Sequence, residues 1–300
     1  MKILSFNNSI SIPTVGYGTW RLPGDTAEDL TATAIKNGYR HIDCAMVYGN
    51  EKEVGKGISK AISDKVVKRD DLFITSKLWN TDHAAKDVAA ACRKTLEDLG
   101  LEYLDLYLVH WNVGFEHGDD LEPLDENGLS KFSFVPLSET WKAMEKLVDE
   151  GLVKSIGVAN FTAPMLIDLL SFAKVKPVMN QIELHPYNAQ NDLIGFCHIQ
   201  GVQVTAYSPL GSVNAPLLKD KSVVSIAESH QCSPAQVLLA WAVQRGTAVI
   251  PKSSTEARMK ENLDSENLEL TEEEMKTLNN LDQHKIFVNP IDWWGFPYFN

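Results

Sequence analysis

The sequence predicts an α/β fold, a closed (β/α)8 TIM barrel, as one domain that covers residues 1–300. Short apolar runs alternate with amphipathic stretches of helical period, and this rhythm is typical of parallel strands joined by helical crossovers. Eight such units follow one another without a low-complexity break. We also expect an N-terminal β-hairpin, a long connection after the fourth strand and a C-terminal loop over the barrel mouth.

The predicted elements begin with a hairpin over residues 3–12 that turns at Asn7 and Asn8. The eight apolar runs predicted as barrel strands are 14–16, 40–42, 72–76, 103–109, 154–158, 178–182, 203–206 and 248–250. The helical patterns between them are 26–37, 51–62, 84–99, 137–150, 164–172, 192–200 and 234–245, and Asn50 is expected to cap the second of these helices. A further helix over 255–263 follows the last strand, and another begins at Thr271 with the capping-box pattern TEEE.

An open, doubly wound sheet is the competing fold. It binds dinucleotides through a glycine fingerprint that follows the first strand. The letters GYG at 16–18 begin like that fingerprint, but Arg21 stands at the third glycine position, and GKG at 55–57 fails in the same way at Lys60. The closed barrel is therefore preferred.

Composition limits the possible classes of protein. The net charge of −12 and the isoelectric point near 5.1 argue against nucleic acid or an anionic membrane as a partner. The chain has no apolar run long enough to span a membrane and no secretory signal pattern. Its four cysteines lack CxxC or CxH spacing, so neither a disulfide scaffold nor a metal site is expected. We expect a cytoplasmic monomer that acts on a small molecule.

Polar and aromatic side chains follow every predicted strand, where a TIM barrel places its functional residues. Merely solvated strand ends would be dominated by Gly, Asp, Asn and Ser. The residues found in chain order are Thr19, Trp20, Asp43, Tyr48, Lys77, His110, Trp111, Asn160, Gln181, Tyr207, Ser208, Lys252 and Ser253. This set indicates a catalytic mouth.

Four of these residues suit the protonation of a carbonyl oxygen as a hydride reaches its carbon. A tyrosine with a pKa of about 10 is a poor acid at neutral pH, and a nearby ammonium lowers that pKa. Asp43 would keep Lys77 protonated, and Lys77 would tune Tyr48 to donate a proton. His110 would orient the substrate oxygen. Each residue alone has an ordinary structural explanation, and their joint order at the strand ends favours the catalytic one.

Longer motifs around these residues resemble the aldo-keto reductase family. GYRHIDCAMVYGNEKEVG at 38–55 is similar to that family's first signature, and FITSKLW and LDLYLVHW to its lysine and histidine strands. GVANF, NQIELHPY and AYSPLG resemble its later strands, and IPKSSTEARMKENL at 250–263 its cofactor signature. The match runs from the hairpin to about Leu281. The resemblance implies Tyr48 as the general acid, tuned by Lys77 and Asp43, and His110 as the residue that orients the substrate.

The resemblance also implies a nicotinamide cofactor held without a Rossmann fold. It implies that the ring stacks on Tyr207 and that the amides of Asn160 and Gln181 hold the carboxamide. Further implied contacts are Asp43, Thr19 and Trp20 at the ribose, and Ser208, Leu210 and Ser212 at the pyrophosphate. The family usually has serine where this chain has Ala159, so one hydrogen bond to the carboxamide is expected to be lost.

The adenosine end is expected after the last strand, where barrels commonly hold phosphate. Two cations and a hydroxyl, from Lys252, Arg258 and Ser253, suit a 2′-phosphate, which favours NADPH and leaves NADH as the weaker alternative. Thr255 would cap the following helix and direct its N–H groups at the phosphate. Glu261 and Asn262 would meet the adenine.

The substrate pocket is expected to be small and apolar, which suits aldehydes and open-chain aldoses. Its expected lining residues, besides Tyr48 and His110, are Trp20, Val47, Trp79, Trp111 and Phe115. The connection 111–136 is acidic, which we interpret as a solvated loop face, and the aromatic tail would fold over the mouth or against the barrel side. Two alternatives stay open, a Schiff-base aldolase or lyase that uses Lys77 and a non-enzymatic relative that binds the cofactor for a regulatory or structural role.

Overall fold

The computed structural model describes residues 1–212 and 215–299. Eight parallel strands form one sheet, in which each barrel strand pairs with the next along the chain. A parallel bridge between Val15 and Val249 joins the two edges of this sheet and closes the barrel. The predicted (β/α)8 fold is therefore confirmed.

The strands are β1 (Ile3–Ser5), β2 (Ser11–Pro13), β3 (Tyr17–Gly18), β4 (His41–Asp43), β5 (Phe73–Leu78), β6 (Leu106–Val109), β7 (Gly114–Phe115), β8 (Phe132–Ser133), β9 (Ile156–Ala159), β10 (Met179–Glu183), β11 (Gln203–Tyr207) and β12 (Ala248–Val249). The helices are α1 (Gly24–Lys36), α2 (Glu51–Ser63), α3 (Ala85–Leu99), α4 (Leu137–Asp149), α5 (Ala163–Phe172), α6 (Asn191–Ile199), α7 (Lys221–Ser229), α8 (Pro234–Gln244), α9 (Glu256–Asp264), α10 (Glu272–Asn279) and α11 (Ile291–Trp294).

The first barrel strand differs from its predicted position at 14–16, because β3 lies at 17–18. The apolar residues before it still pair across the closure, where the Val249 N–H donates to the Thr14 carbonyl at 2.7 Å. At Gly18 the two edges approach so closely that a Cβ atom would lie 2.6 Å from the Ile250 carbonyl oxygen. Glycine at this position therefore permits closure of the barrel.

Helix α7 is absent from the helices predicted above. Its buried face is formed by Val223, Ile226 and Ala227, which have the spacing of one side of a helix. At its start, the Asp220 carboxylate accepts hydrogen bonds from the Ser222 and Val223 amides. The described residues between β11 and α7 carry no strand, so the alternation of strand and helix patterns does not predict a helix there. The Asp220 cap is the local feature that marks where this helix begins.

Two further capping expectations need correction, whereas the capping box at Thr271 is confirmed. Asn50 precedes α2 without a side-chain cap, because its amide instead donates to the Thr19 and Leu22 carbonyls. Thr255 precedes α9, and its side chain forms no cap hydrogen bond either. Asn50 therefore ties α2 to the loop after β3, which is a tertiary role that its position in the sequence does not reveal.

The N-terminal hairpin closes one end of the barrel. Its strands β1 and β2 are antiparallel and turn at the predicted Asn7 and Asn8. Phe6 and Ile12 belong to a buried cluster with barrel side chains that include Phe73 and Met179. Because this end is filled, ligands can enter only from the opposite end, where the strands finish.

The opposite end is covered by the long connection and the C-terminal tail. The connection contains the antiparallel pair β7 and β8, and the tail contains α11. Trp79, Trp111, Phe115, Trp294 and Tyr298 form one buried cluster across these segments. The tail thus folds over the mouth, as predicted. Among the described residues, no helix is long and apolar enough to cross a membrane.

Candidate active site

Lys77 is fully buried at the mouth end of β5. Its ammonium donates to Asp43 Oδ2 at 2.6 Å, to the Cys44 carbonyl at 2.8 Å and to the Tyr48 hydroxyl at 3.2 Å. Burial is the largest single effect and would lower the pKa of Lys77, but the charges of Asp43 and Tyr48 and the hydrogen bonds to both together outweigh it, and the net pKa is raised. Lys77 is therefore held as a cation, as predicted from the sequence.

Neighbouring strands bring this pair together. Strands β4 and β5 are parallel partners in which Asp43 lies opposite Thr75, and Lys77 is two residues further on the same face. The second Asp43 oxygen, Oδ1, accepts a hydrogen bond from the Gln181 amide at 2.8 Å. The carboxylate is thus fixed by an ammonium on one side and an amide on the other, which satisfies a charge that is almost fully buried.

Tyr48 ends a single 3₁₀ turn, Met46–Tyr48, and Gly49 follows in the left-handed conformation at φ 68°. Burial raises the pKa of Tyr48 to about 12, although the Lys77 charge and hydrogen bond pull in the opposite direction. The expectation that Lys77 brings the phenol pKa down toward neutrality is wrong in its net direction. Desolvation is the larger effect because Asp43 neutralises much of the ammonium's field.

His110 follows β6, and its ring centroid is 6.1 Å from that of Tyr48 and 5.2 Å from that of Trp79. Burial and then the charge of Lys77 hold the pKa of His110 well below its ordinary value. The imidazole is therefore neutral at physiological pH. A neutral imidazole and a phenol can each donate one hydrogen bond to an oxygen atom placed between them.

The three residues expected around the nicotinamide are connected by hydrogen bonds. The Tyr207 hydroxyl donates to Asn160 Oδ1 at 2.7 Å, and Asn160 Nδ2 donates to the His110 carbonyl at 3.0 Å. Gln181 lies opposite Ala159 in the sheet and bonds Asp43. These contacts link the ends of β6, β9 and β11 into one rigid rim.

Backbone geometry marks the same region. Asn160, Ser208 and Ser212 have φ values of 63°, 47° and 62°, in the left-handed region that non-glycine residues seldom occupy. Strained backbone of this kind clusters at functional sites because the surrounding structure must hold it. Three residues expected to contact the cofactor thus share a feature that sequence periodicity does not detect. Leu210 lies between them and packs against the core.

Thr19 and Trp20 differ in what they offer a ligand. The Thr19 hydroxyl is buried and donates to the Asp43 carbonyl at 2.8 Å, so it supports the acid. Trp20 is 39% exposed, and the Arg21 guanidinium lies 4.4 Å from its ring centroid. Trp20 presents an open aromatic face at the mouth.

The segment expected to bind the adenosine end surrounds the start of α9. Lys252 and Arg258 are exposed, and neither forms an ion pair with any residue of the described ranges. Ser253 is buried, and its hydroxyl accepts from the Thr255 amide at 3.3 Å. Of the two residues expected at the adenine, Glu261 is half-buried and Asn262 is buried. The segment therefore offers two uncompensated cations beside a helix N-terminus, which fits an anionic group.

Three of the residues expected to line the pocket lie together at the mouth, and one expected lining residue needs correction. Trp79 and Trp111 are buried at the mouth, and Val47 packs with them. Phe115 is only 1% exposed and lies under Trp294, with the ring centroids 5.0 Å apart, so it supports the wall and does not line it.

Sequence reasoning left several functional contacts unassigned. The Cys44 carbonyl accepts from Lys77, a backbone role with no sequence signal. Trp294 and Tyr298 pack on Trp111 at ring-centroid distances of 5.1 Å each and complete the wall. The aromatic content of the tail was the signal available for them.

A closed barrel whose mouth carries a buried carboxylate–ammonium–phenol chain and a neutral imidazole is the arrangement of an oxidoreductase that acts on carbonyl groups. The sequence profile of the Aldo/keto reductase family matches residues 14–283. The chain belongs to this family and is an enzyme. Members of the family use nicotinamide cofactors and small carbonyl substrates.

Individual relatives agree with this placement. The chain is 46% identical over 288 residues to aldo-keto reductase family 1 member A1-A of Danio rerio, which covers 93% of this chain and 89% of that one. It is 45% identical over 296 residues to aldose reductase B of Dictyostelium discoideum, at 96% and 95% coverage. The solved aldose reductase of Schistosoma japonicum superposes with a TM-score of 0.95 at 43% identity, covering 100% of this chain and 98% of that one.

Proposed function

We propose that the protein reduces the carbonyl group of an aldehyde or aldose to the alcohol, with NADPH as the reductant. The observation that carries this proposal is the Lys77 ammonium, which bonds Asp43 on one side and the Tyr48 hydroxyl on the other while fully buried. This series of three hydrogen-bonded side chains suits a reaction in which a phenol releases a proton, because the ammonium stabilises the negative charge that remains on the phenol oxygen.

Tyr48 is the proposed proton donor. The bound nicotinamide supplies the hydride, and negative charge then develops on the carbonyl oxygen. An alkoxide is more basic than a phenolate, so a phenol with a pKa of about 12 still transfers its proton downhill. Lys77 lies 3.2 Å from the phenol oxygen and stabilises the phenolate left behind, while Asp43 keeps Lys77 charged.

His110 is the proposed orienting residue. Its neutral ring lies edge-to-face with Tyr48, so an oxygen between the two rings can accept one hydrogen bond from each. A substrate held in this way presents its carbon toward Tyr207, whose ring is the proposed platform for the nicotinamide. Asn160 and Gln181 are the proposed carboxamide partners, and Asp43, Thr19 and Trp20 the proposed ribose contacts.

The preference for NADPH over NADH rests on the start of α9. Lys252 and Arg258 are cations without an ion-pair partner among the described residues, and a 2′-phosphate would compensate both. Ser253 and Thr255 are proposed to complete this site, with Glu261 and Asn262 near the adenine. Ser208, Leu210 and Ser212 are the proposed pyrophosphate contacts.

A Schiff-base mechanism at Lys77 is the alternative class. An imine requires a neutral amine as nucleophile, but Asp43 and Tyr48 together raise the pKa of Lys77 above its ordinary value against the effect of burial. The amine also lies below the Tyr48 hydroxyl with no exposed surface. Lys77 is therefore proposed as a fixed cation and not as a nucleophile.

The proposal extends to a single-domain, monomeric protein of the cytoplasm that uses neither a metal nor a nucleic-acid partner. All four cysteines are free, and three are buried, which fits a reducing compartment. The described residues contain no His, Cys, Asp and Glu cluster able to hold a metal ion.

The test is oxidation of NADPH by the pure protein with a panel of aldehydes, aldoses and ketones. Tyr48→Phe should lower kcat by at least about 100-fold, because it deletes the proton, while NADPH affinity stays within about twofold. Tyr107→Phe is a matched control, since Tyr107 is a fully buried barrel tyrosine that the proposal does not use. A fully active Tyr48→Phe, or no turnover with any carbonyl compound, contradicts the proposal.

A further inference from the structure

Glu183 is a buried carboxylate at the rim of the barrel that the proposed reaction does not use. It ends β10, is 3% exposed, and forms no ion pair with a lysine or arginine of the described ranges. Burying a charge in this way is costly unless hydrogen bonds satisfy it. The groups that satisfy Glu183 therefore indicate what it does.

Two of these groups come from the C-terminal tail. The Phe287 amide donates to Glu183 Oε1 at 2.7 Å, and the Val288 amide donates to Oε2 at 2.8 Å. His185 Nε2 completes the set at 2.9 Å from Oε1. Each carboxylate oxygen thus holds one of two consecutive tail amides, and charge-assisted bonds of this kind are stronger than bonds between neutral groups.

Just before Phe287, the tail is also bonded to the loop that follows β10. The Tyr187 carbonyl accepts from the Gln283 and Lys285 amides at 3.1 and 2.9 Å, and Asp282 Oδ1 accepts from the Ala189 amide at 3.2 Å. Residues 282–288 are therefore fastened to the loop that follows β10. Glu183 provides the last of these contacts before the tail crosses the mouth.

The pocket wall begins directly beyond Val288. Helix α11 starts three residues later and places Trp294 against Trp79 and Trp111, with ring centroids 6.2 and 5.1 Å apart. Tyr298 then accepts a hydrogen bond from the Asn112 amide at 2.9 Å. The entry angle of the tail is set at Glu183, so the position of the Trp294 ring over the pocket depends on it.

We propose that Glu183 is a positioning residue for substrate specificity, which fixes the aromatic wall formed by the tail and thereby the fit of large apolar aldehydes. The inference rests on the proposed function for its kinetic consequence only. The hydrogen bonds from Phe287 and Val288 can be tested without turnover.

The test compares Glu183→Gln with the intact protein. A carboxamide presents an NH2 group where one tail amide needs an acceptor, so one of the two bonds is lost. The KM for a large apolar aldehyde such as 2-naphthaldehyde should rise about tenfold, while the KM for propanal and the Kd for NADPH stay within about twofold. Hydrogen exchange at residues 287–288 should accelerate in the same variant.

The chain offers a matched control in Glu145, which accepts from two consecutive amides, Lys174 and Val175, at 2.7 and 2.9 Å on the barrel side. Because one oxygen, Oε1, accepts both amides, Glu145→Ala is the variant that removes their acceptor; it should accelerate exchange at 174–175 and leave both aldehyde KM values unchanged. If it reproduces the effect of Glu183→Gln, general destabilisation is the cause and the inference fails.

Val288→Pro tests the same bond from the tail if Glu183→Gln does not fold, because proline has no N–H to donate. It should raise the KM for the large aldehyde and leave the KM for propanal unchanged, as Glu183→Gln does.

In a Trp294→Ala background, Glu183→Gln should raise the KM for the large aldehyde very little further, because the aromatic wall that Glu183 positions is already gone. Equal losses for both aldehydes, a weakened NADPH affinity, or unchanged exchange at 287–288 would each overturn the inference. If no aldehyde is reduced at all but exchange accelerates as stated, the proposed function fails and the tail contact stands.

Discussion

Lys77 Nζ lies 2.6 Å from Asp43 Oδ2, and both side chains are buried although the residues are 34 positions apart in sequence. The two are neighbours because β4 and β5 are adjacent parallel strands whose ends meet at the same rim. A buried pair of this kind stabilises the fold only while both partners remain.

Asp43→Asn should therefore lower the free energy of unfolding by about 3–5 kcal/mol, because it leaves the Lys77 charge buried without a counterion. The double variant Asp43→Asn with Lys77→Met should lose less than the sum of the two single losses. Urea unfolding measures both. The exposed pair Lys60 and Asp29, 2.8 Å apart, is the control, and breaking it should change stability very little. Additive losses at 43 and 77 would contradict the coupling.

The pH dependence of the two reaction directions should differ. Reduction needs Tyr48 protonated and His110 neutral, and both conditions hold from about pH 6 to 9, since the pKa of Tyr48 is about 12 and that of His110 is well below its ordinary value. The kcat for reduction should be flat across that window. Alcohol oxidation needs the phenolate and should rise by up to about tenfold per pH unit. A fall in the reduction rate with a midpoint at about pH 6.5 would place the titration at His110 and contradict its neutral state.

Glu51 should make stability fall as pH rises. Its side chain is buried and accepts hydrogen bonds from Ser76 and Thr95, and burial, as the largest effect, raises the pKa to about 7 from an ordinary 4.5. The folded state thus keeps a proton that the unfolded chain has lost. The stabilisation is fully present below pH 4.5 and is lost as the pH rises through about 7.

Glu51→Gln removes this titration. The stability of the variant relative to the intact protein should improve by roughly 2 kcal/mol between pH 5 and 8, measured by urea unfolding. Burial lowers the pKa of His41 and His83 to about 4, which makes stability rise with pH in both proteins, so their effect cancels in the difference. A difference that stays constant with pH would show that Glu51 ionises at its ordinary pKa.

The cofactor preference should depend on the cations at the start of α9. Lys252→Ala and Arg258→Ala should each raise the KM for NADPH by about tenfold, because a charge-assisted bond to the 2′-phosphate is lost, and change the KM for NADH very little. Lys260→Ala is the control, since Lys260 lies on the same helix but is paired with Glu256 at 2.7 Å. Equal effects on both cofactors would refute the 2′-phosphate assignment.

Much of this molecule follows from local sequence patterns. The alternation of apolar runs and helical periods predicted a closed barrel, because parallel strands need helical crossovers and the chain repeats that unit eight times. The rule that barrel function lies at strand ends then selected Asp43, Lys77 and His110, and the structure brings them to one mouth. Local patterns did not predict the caps in every case: the Asn50 amide donates to Thr19 and Leu22, which are 31 and 28 positions away, and so does not cap α2.

The sequence by itself determined which residues stand at the strand ends, since strand order and side-chain alternation are local properties. Only the tertiary structure decided the pKa values and the hydrogen-bond partners of those residues. Burial, which depends on the whole fold, raises the pKa of Tyr48 where a neighbouring ammonium alone would lower it. Tertiary contact also gave Glu183 its partners, because the Phe287 and Val288 amides are 104 and 105 positions away and no periodicity connects them.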